Sequence, residues 1–224
     1  MQLRLFDWGP SPFCLKVRTL LTYEGVTYQR IPVLGPSLPE LLRRSSVRKV
    51  PALDFDGEMH VDSTDIAYEI ERRFPQPAVI PSNPLERGLC HALEDWADES
   101  LYFIGLYFQW LDPRGKPLVR QAFGGSPLGL LSRLFYQRRI EKQVRGQGTG
   151  RKTAEHIRSD LQRQLSALCD ILADGRPYLL GNTPLLCDFS VNAQLVYLSR
   201  PPSSAEVLQA YAPVTQYMAR MKAL

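Results

Sequence analysis

Cysteine and histidine are too few and too scattered in this chain to build a metal centre or a disulfide frame. The four cysteines stand at 14, 90, 169 and 187, the three histidines at 60, 91 and 156. None forms a CxxC pair or a zinc-ligating spacing, so no metal is expected and the thiols read as reduced. Long apolar runs are missing too. The longest, LYFIGLYFQWL at 101–111, falls well short of the roughly 18 residues a membrane span needs. Arg4 and Asp7 interrupt the first apolar run, which is unlike the apolar core of a secretory signal. These absences point to a soluble, cytoplasmic chain without repeats or low-complexity tracts.

Acid is scarce in one place. From Pro113 to Thr153 ten Lys or Arg residues accompany a single acid, Glu141, so this segment carries +9 in a chain of net +4. Such a patch can attract nucleic acid or anionic lipid. A solvated helix face with a basic loop is the favoured reading. No nucleic-acid partner is therefore expected, and membrane association is not favoured.

What is present suits a globular protein: 44% apolar and 22% charged residues over 224 positions, enough for one large or two modest domains. The first part alternates strand and helix signals. LRLFDW reads as a strand, and PFCLKVRTLLTYEG as a helix stopping at Gly25. VTYQRIPV reads as a strand and PSLPELLRRS as a short helix. PALDFDGEMHV makes two strands around the Asp56-Gly57 turn, and DSTDIAYEIERRF makes an amphipathic helix. The order is β-α-β-α-β-β-α. Prolines at 75, 77, 81 and 84 then exclude regular structure and suit a semi-rigid linker. Beyond them the chain reads as helix and loop: one long helix over LERGLCHALEDWADESLYFIGLYFQW, a second broken near Gly124-Gly125, a third ending at Gly175, and two more. The expected domains are 1–75, a linker 76–84, and an all-α domain 85–224.

Three stretches carry candidate chemistry. In GPSPFCLKVR, Ser11 suits a helix N-cap and Pro12 the first helical position. That pair needs no other explanation, yet the same geometry sets a hydroxyl and the positive end of a helix where they would stabilise a thiolate. In KVPALDFDG, Val50 precedes a proline entering a strand. A cis peptide there turns the Val50 N–H and C=O outward to pair with an extended ligand, the alternative being an edge-strand proline. In VDSTDI, Asp62 and Ser63 either cap a helix or hold an α-amino and an α-carboxylate group. Singly each is weak. Together they fall at the ends of successive elements of a thioredoxin-like half and meet the needs of a γ-glutamyl tripeptide.

Through SPFCLKVR, KVPALDFDG, DSTDIAYEIE, the proline linker and the helical second part, the chain resembles the glutathione transferase superfamily. SPFCLKV, GQGTGR at 146–151 and RPYLLGNTPLLCDFSV at 176–191 resemble in particular its failed-axon-connections and metaxin-like branch with the bacterial relatives. The resemblance implies a thioredoxin-like N-terminal domain and an all-helical C-terminal domain. It implies transfer of the glutathione thiolate to an apolar electrophile, with glutathione as co-substrate and no metal. Ser11 then matches the thiol-stabilising serine, Pro51 the cis proline after Val50, and Asp62-Ser63 the γ-glutamyl anchor. Lys49 matches a glycine-carboxylate contact, and Phe13 belongs to the same glutathione set. A homodimer is expected by analogy. That branch also contains proteins better known for membrane association or interaction than for turnover, so a binding or adaptor role is the alternative, and thiol exchange through Cys14 a third.

Two departures stand out. Ser45-Ser46 replaces the usual Asn-Pro ahead of the cis proline. Leu185 replaces the capping hydroxyl in GNTPLLCD, although Asp188 remains; leucine accepts no hydrogen bond, so that helix start needs another partner, for which Thr183 is available. GQGTGRKT is set aside as a phosphate loop because Arg151 separates the glycine from the lysine and no strand precedes it. Of the aromatics between 96 and 110, Tyr107 and Trp110 are the two expected to face an acceptor.

Overall fold

Leu3 and Leu5 point to one face of strand β1 (Leu3–Asp7) and Phe6 to the other, the period-two alternation that lets one strand feed two cores. The computed structural model describes residues 2–33, 35–45 and 47–224, so Ser46 of the Ser45-Ser46 pair lies outside the described residues. After β1 come α1 (Pro12–Tyr23), β2 (Gln29–Pro32), α2 (Leu38–Arg44), β3 (Ala52–Phe55), β4 (Glu58–Val61) and α3 (Ser63–Arg73). This is the order read from the sequence. The four strands lie in the order β2-β1-β3-β4, with β1 parallel to β2 and antiparallel to β3. Leu5 and Leu53 meet Val17, Leu20, Ile66 and Ile70 of α1 and α3 on one face. Phe6 and Ala52 meet Leu41 of α2 on the other.

The first helix ends where it must. Gly25 has φ +65, a left-handed conformation open to glycine without a Cβ penalty. The capping residue, Glu24, is half-buried, and neither of its carboxylate oxygens has a hydrogen-bond partner among the described residues. Burial, with the nearby Glu71 charge, raises its pKa to about 7 from 4.5. The unfolded chain releases this proton near pH 4.5 and the folded chain near 7, so the folded state holds more protons in between and stability falls across that window. Glu24→Gln is expected to flatten that fall and to be the more stable protein at pH 8, as read by urea unfolding at pH 4, 6 and 8.

Residues 75–83 are irregular, but the segment is stitched to the rest. Val79 is fully buried; its N–H donates to Glu71 and its C=O accepts from Leu186 N at 2.9 Å. Gln76-Pro77 is a second cis peptide that the sequence did not reveal. Then follows the expected long helix: α4 (Pro84–Trp96), a π-turn over Ala97–Leu101, α5 (Tyr102–Leu106) and a second π-turn over Tyr107–Leu111. The break at Gly124-Gly125 separates α6 (Lys116–Phe123) from α7 (Pro127–Gln147), and α8 spans Ala154–Ile171. The last two expected helices are three, α9 (Leu186–Leu198), α10 (Pro202–Gln209) and α11 (Ala212–Lys222), because the chain turns at Ala210-Tyr211.

α9 is buried on all sides except at Val196, and it takes four polar side chains, Asp188, Ser190, Asn192 and Gln194, into the interior with it. Its start shows how the missing hydroxyl at 185 is replaced. Thr183 is exposed and makes no hydrogen bond among the described residues, so it is not the cap. Instead Asp188 N donates to the Leu185 C=O at 2.8 Å and Leu186 N to that of Val79, while the Asp188 carboxylate accepts from Leu185 N and Leu179 N, each at 2.9 Å, and from the Tyr217 hydroxyl at 3.1 Å.

Candidate functional site

Strand register brings the three candidate stretches to one end of the sheet. Phe6 pairs with Ala52, and Ala52 with Val61, so these three residues form a row across adjacent strands about 5 Å apart. The chain leaves that row at β1 toward Ser11, enters it from Val50-Pro51, and leaves it again at β4 toward Asp62-Ser63.

Ser11 is the N-cap of α1, extended in backbone and 6% exposed. Its N–H donates to Trp8 C=O at 2.9 Å, and its Oγ accepts from Cys14 N at 3.3 Å. The cap thus fixes the oxygen, while the hydroxyl proton has no acceptor among the described residues. Pro12 follows at N1, where a missing N–H costs nothing. The loop is held from the helical half as well, since Arg200 at the end of α9 donates to Pro10 C=O at 2.8 Å.

Cys14 is fully buried, and its sulfur accepts from Trp8 N at 3.4 Å. Burial pushes its thiol up to about 12, so it carries a proton at neutral pH and packs as an apolar side chain. That removes the support for thiol exchange through Cys14.

The Val50-Pro51 peptide is cis. Val50 is half-buried, and no backbone hydrogen bond outside the strand ladders reaches it among the described residues. Lys49 beside it is exposed. Asp62 caps α3 with φ +77, and its Oδ1 accepts from Thr64 N at 2.9 Å. Ser63 is 5% exposed and its hydroxyl makes no hydrogen bond among the described residues. With Ser63 at the first helical position, the helix presents unpaired N–H groups there.

Below this helix start lies a buried ionic cluster that the sequence did not signal. Lys16 of α1, 1% exposed, pairs with Glu94 of α4, with Asp98 of the first π-turn at 3.0 Å, and with the Thr64 hydroxyl at 3.2 Å. Thr64 also donates to Glu94, and Gln194 of α9 donates to Asp98 at 3.1 Å. Burial pushes both carboxyls up; for Glu94 the Lys16 ammonium and the Thr64 hydroxyl outweigh it and leave the group lowered. Asp98 stays raised, to about 6. An i, i+4 pair of acids on a helix ordinarily reads as solvated surface, which is why the cluster escaped notice.

The aromatic side chain that meets the first half here is Tyr102, whose ring stands edge-on to Phe13 with centroids 4.7 Å apart. Trp8 faces Phe123 at 6.4 Å. Tyr107 and Trp110 lie elsewhere: they line a cavity of about 480 Å³ with Lys116, Arg145, Arg151 and Lys152, and no residue of the first half takes part. Trp110 is buried and donates to the Tyr197 hydroxyl at 3.2 Å. The GQGTGR loop closes this cavity as one 3₁₀ turn, Thr149–Arg151, after a helix and not a strand. A Cβ on Gly150 would stand 3.0 Å from Arg145 N, so the loop packs directly on the end of α7. His60 sits with Glu58 and Glu69, where Arg73 pairs with both carboxylates and Arg72 with Glu69.

Comparison with known proteins identifies what the chain is similar to. Residues 5–78 match the family model described as glutathione S-transferase, N-terminal domain. The chain is 25% identical over 205 residues to Failed axon connections of Drosophila melanogaster, covering 85% of this chain and 47% of that protein. It is 25% identical over 204 residues to the isoprene-epoxide–glutathione S-transferase of Rhodococcus sp. (strain AD45), covering 87% and 84%. Residues 5–78 therefore carry a glutathione S-transferase N-terminal domain. A crystal structure of a glutathione S-transferase from Rhodospirillum rubrum F11 superposes over 100% of this chain and 89% of that one, with TM-score 0.71 at 18% identity; at that identity it speaks for the fold. The chain thus spans about half of the first relative and most of the second, and both halves of the transferase fold are present: a thioredoxin-like sheet domain and a helical region after it.

Proposed function

We propose that this chain is a glutathione transferase in which Ser11 stabilises the thiolate. The observation that carries the reading is the state of the Ser11 hydroxyl: its oxygen is fixed by the α1 cap, and its proton has no acceptor among the described residues. A bound thiol at the helix terminus would take that hydrogen bond as it ionises, and the charge-assisted bond favours the anion. The proton leaves to solvent. The sulfur then forms a bond to an electrophilic carbon of the acceptor, whose leaving group departs with its electron pair. Ser11 stays a hydrogen-bond donor throughout, so no covalent enzyme intermediate forms, and proximity supplies the rest.

The remaining roles follow the chemistry of each group. The Val50 backbone would pair with the cysteinyl main chain of the tripeptide, as a strand partner does. The Asp62 carboxylate would take the γ-glutamyl ammonium, and the Ser63 hydroxyl with the N–H groups of α3 its carboxylate. Lys49 would meet the glycine carboxylate, with Phe13 and Pro51 as walls. For the acceptor we favour the Tyr102 side of the groove over Tyr107 and Trp110, because Tyr102 touches Phe13. The division into 1–75, 76–84 and 85–224, a homodimer and a cytoplasmic setting accompany this reading by family analogy.

The test is turnover of an activated aryl halide with glutathione, paired with calorimetry of glutathione alone. The reading expects saturable binding of glutathione and a rate above the uncatalysed reaction. Binding without turnover would move the protein to the adaptor class, and no binding would remove the glutathione assignment altogether.

A further inference from the structure

The +9 segment is not the simple solvated face that its charge alone suggests. On α7, Leu131 is 66% exposed, Phe135 63%, Leu130 48% and Leu134 44%. Single exposed apolar residues are ordinary; a contiguous group has a use. Nowhere else among the described residues do four large apolar side chains stand exposed within six positions. At 100° per residue all four fall within one arc of the helix surface. One to three turns further on, the same side carries Arg138, Lys142 and Arg145, all exposed. α7 is 21 residues long, about 31 Å, so its outward side is apolar for its first half and cationic for its second.

We infer that this face of α7 docks on the surface of an anionic lipid bilayer. The apolar first half would enter the boundary between headgroups and acyl chains, and the cationic second half would lie among the lipid phosphates and carboxylates. That is the division of labour of an interfacial helix, which lies on a membrane and does not cross it. No helix among the described residues is long and apolar enough to cross. Charge complementarity selects the occupant. A second copy would bring one +9 segment against another, whereas an anionic bilayer supplies the missing negative charge and an apolar layer together. Arg145 has a partner in Glu141 at 3.2 Å, but Arg138, Arg139 and Lys142 have no ion-pair partner among the described residues. The inference is independent of the glutathione reading, since none of these residues belongs to that site.

The experiment is co-sedimentation of the full chain with vesicles of phosphatidylcholine alone or with about a third phosphatidylserine, at low and high salt. Binding is expected on the anionic vesicles, weakened by salt, with little on neutral ones. Leu131→Asp with Phe135→Asp should cut the partition coefficient at least ~10-fold, and Arg138→Gln with Lys142→Gln should lower it on anionic vesicles. All four side chains are exposed, and an unchanged Tm and circular dichroism spectrum would show that the variants fold. Absence of binding to anionic vesicles overturns the inference. So does binding that is indifferent to Leu131 and Phe135, which would be charge attraction alone. Concentration-dependent self-association that the double Asp variant abolishes, without vesicle binding, would assign the face to a second copy instead.

Discussion

Replacing Ser11 by alanine is expected to lower kcat/KM for glutathione and an aryl halide by about 10²-fold, the usual consequence of removing one preorganised donor to a developing or stabilised anion. The same change deletes the side-chain acceptor for Cys14 N, which costs about 1 kcal/mol of stability, the ordinary value for an N-cap. The two effects separate cleanly. Measured below the unfolding transition, where both proteins are fully folded, a cap defect of that size leaves the rate nearly untouched, so a 10²-fold loss reports the hydroxyl at the sulfur. A loss of only a few-fold would leave Ser11 as a cap and nothing more.

The second large effect lies in the buried cluster. Lys16→Met removes the cation that Glu94 and Asp98 share, leaving two carboxyls among α1, α4, α9 and the π-turn with only the exposed His91 imidazole, 3.7 Å from Glu94, beside them among the described residues. Breaking a buried ion pair from one side typically costs about 3–5 kcal/mol, and that loss is expected in urea unfolding of Lys16→Met. Adding Glu94→Gln and Asp98→Asn should recover part of it, because the buried groups are then neutral. A loss below about 1 kcal/mol would mean that water or local rearrangement relieves the site. The cluster joins α1 and Thr64 of the sheet domain to α4 and α9 of the helical one. Its loss should therefore also loosen the start of α3, where Asp62 and Ser63 sit.

How much of this was legible beforehand depended on whether a feature is local. Caps, turns and linker prolines are chosen by a few adjacent residues, so Ser11, Gly25, the Asp56-Gly57 hairpin and the break at Gly124-Gly125 could be read directly. The convergence of Ser11, Val50 and Asp62-Ser63 at one sheet end was legible as element order, and strand register supplied the geometry. Features that depend on packing from distant elements were not legible. Lys16 and Glu94 stand 78 residues apart, and no local pattern marks a lysine that will be buried. Tyr102 meets Phe13 while Tyr107 and Trp110 turn to another cavity. Which side of a long aromatic-rich helix faces the groove is decided by two π-turns that shift its phase. The cap at α9 is divided: Asp188 is local and was legible three residues on, whereas the Val79 carbonyl that takes Leu186 N comes from far away in sequence. On α7 the charge was visible, but the exposure of Leu131 and Phe135 required knowing that no element among the described residues covers them.

The central claim is that the sulfur that reacts belongs to the ligand and that Ser11 lowers its pKa. Thiolate absorbs in the near ultraviolet, so a pH titration of glutathione bound to the protein, and to Ser11→Ala, measures it directly. The account predicts a bound thiol ionising at least about one unit below the free value near 8.5 in the unmodified protein, and returning toward that value in Ser11→Ala. Equal titration in the two proteins, or no shift in either, would contradict it.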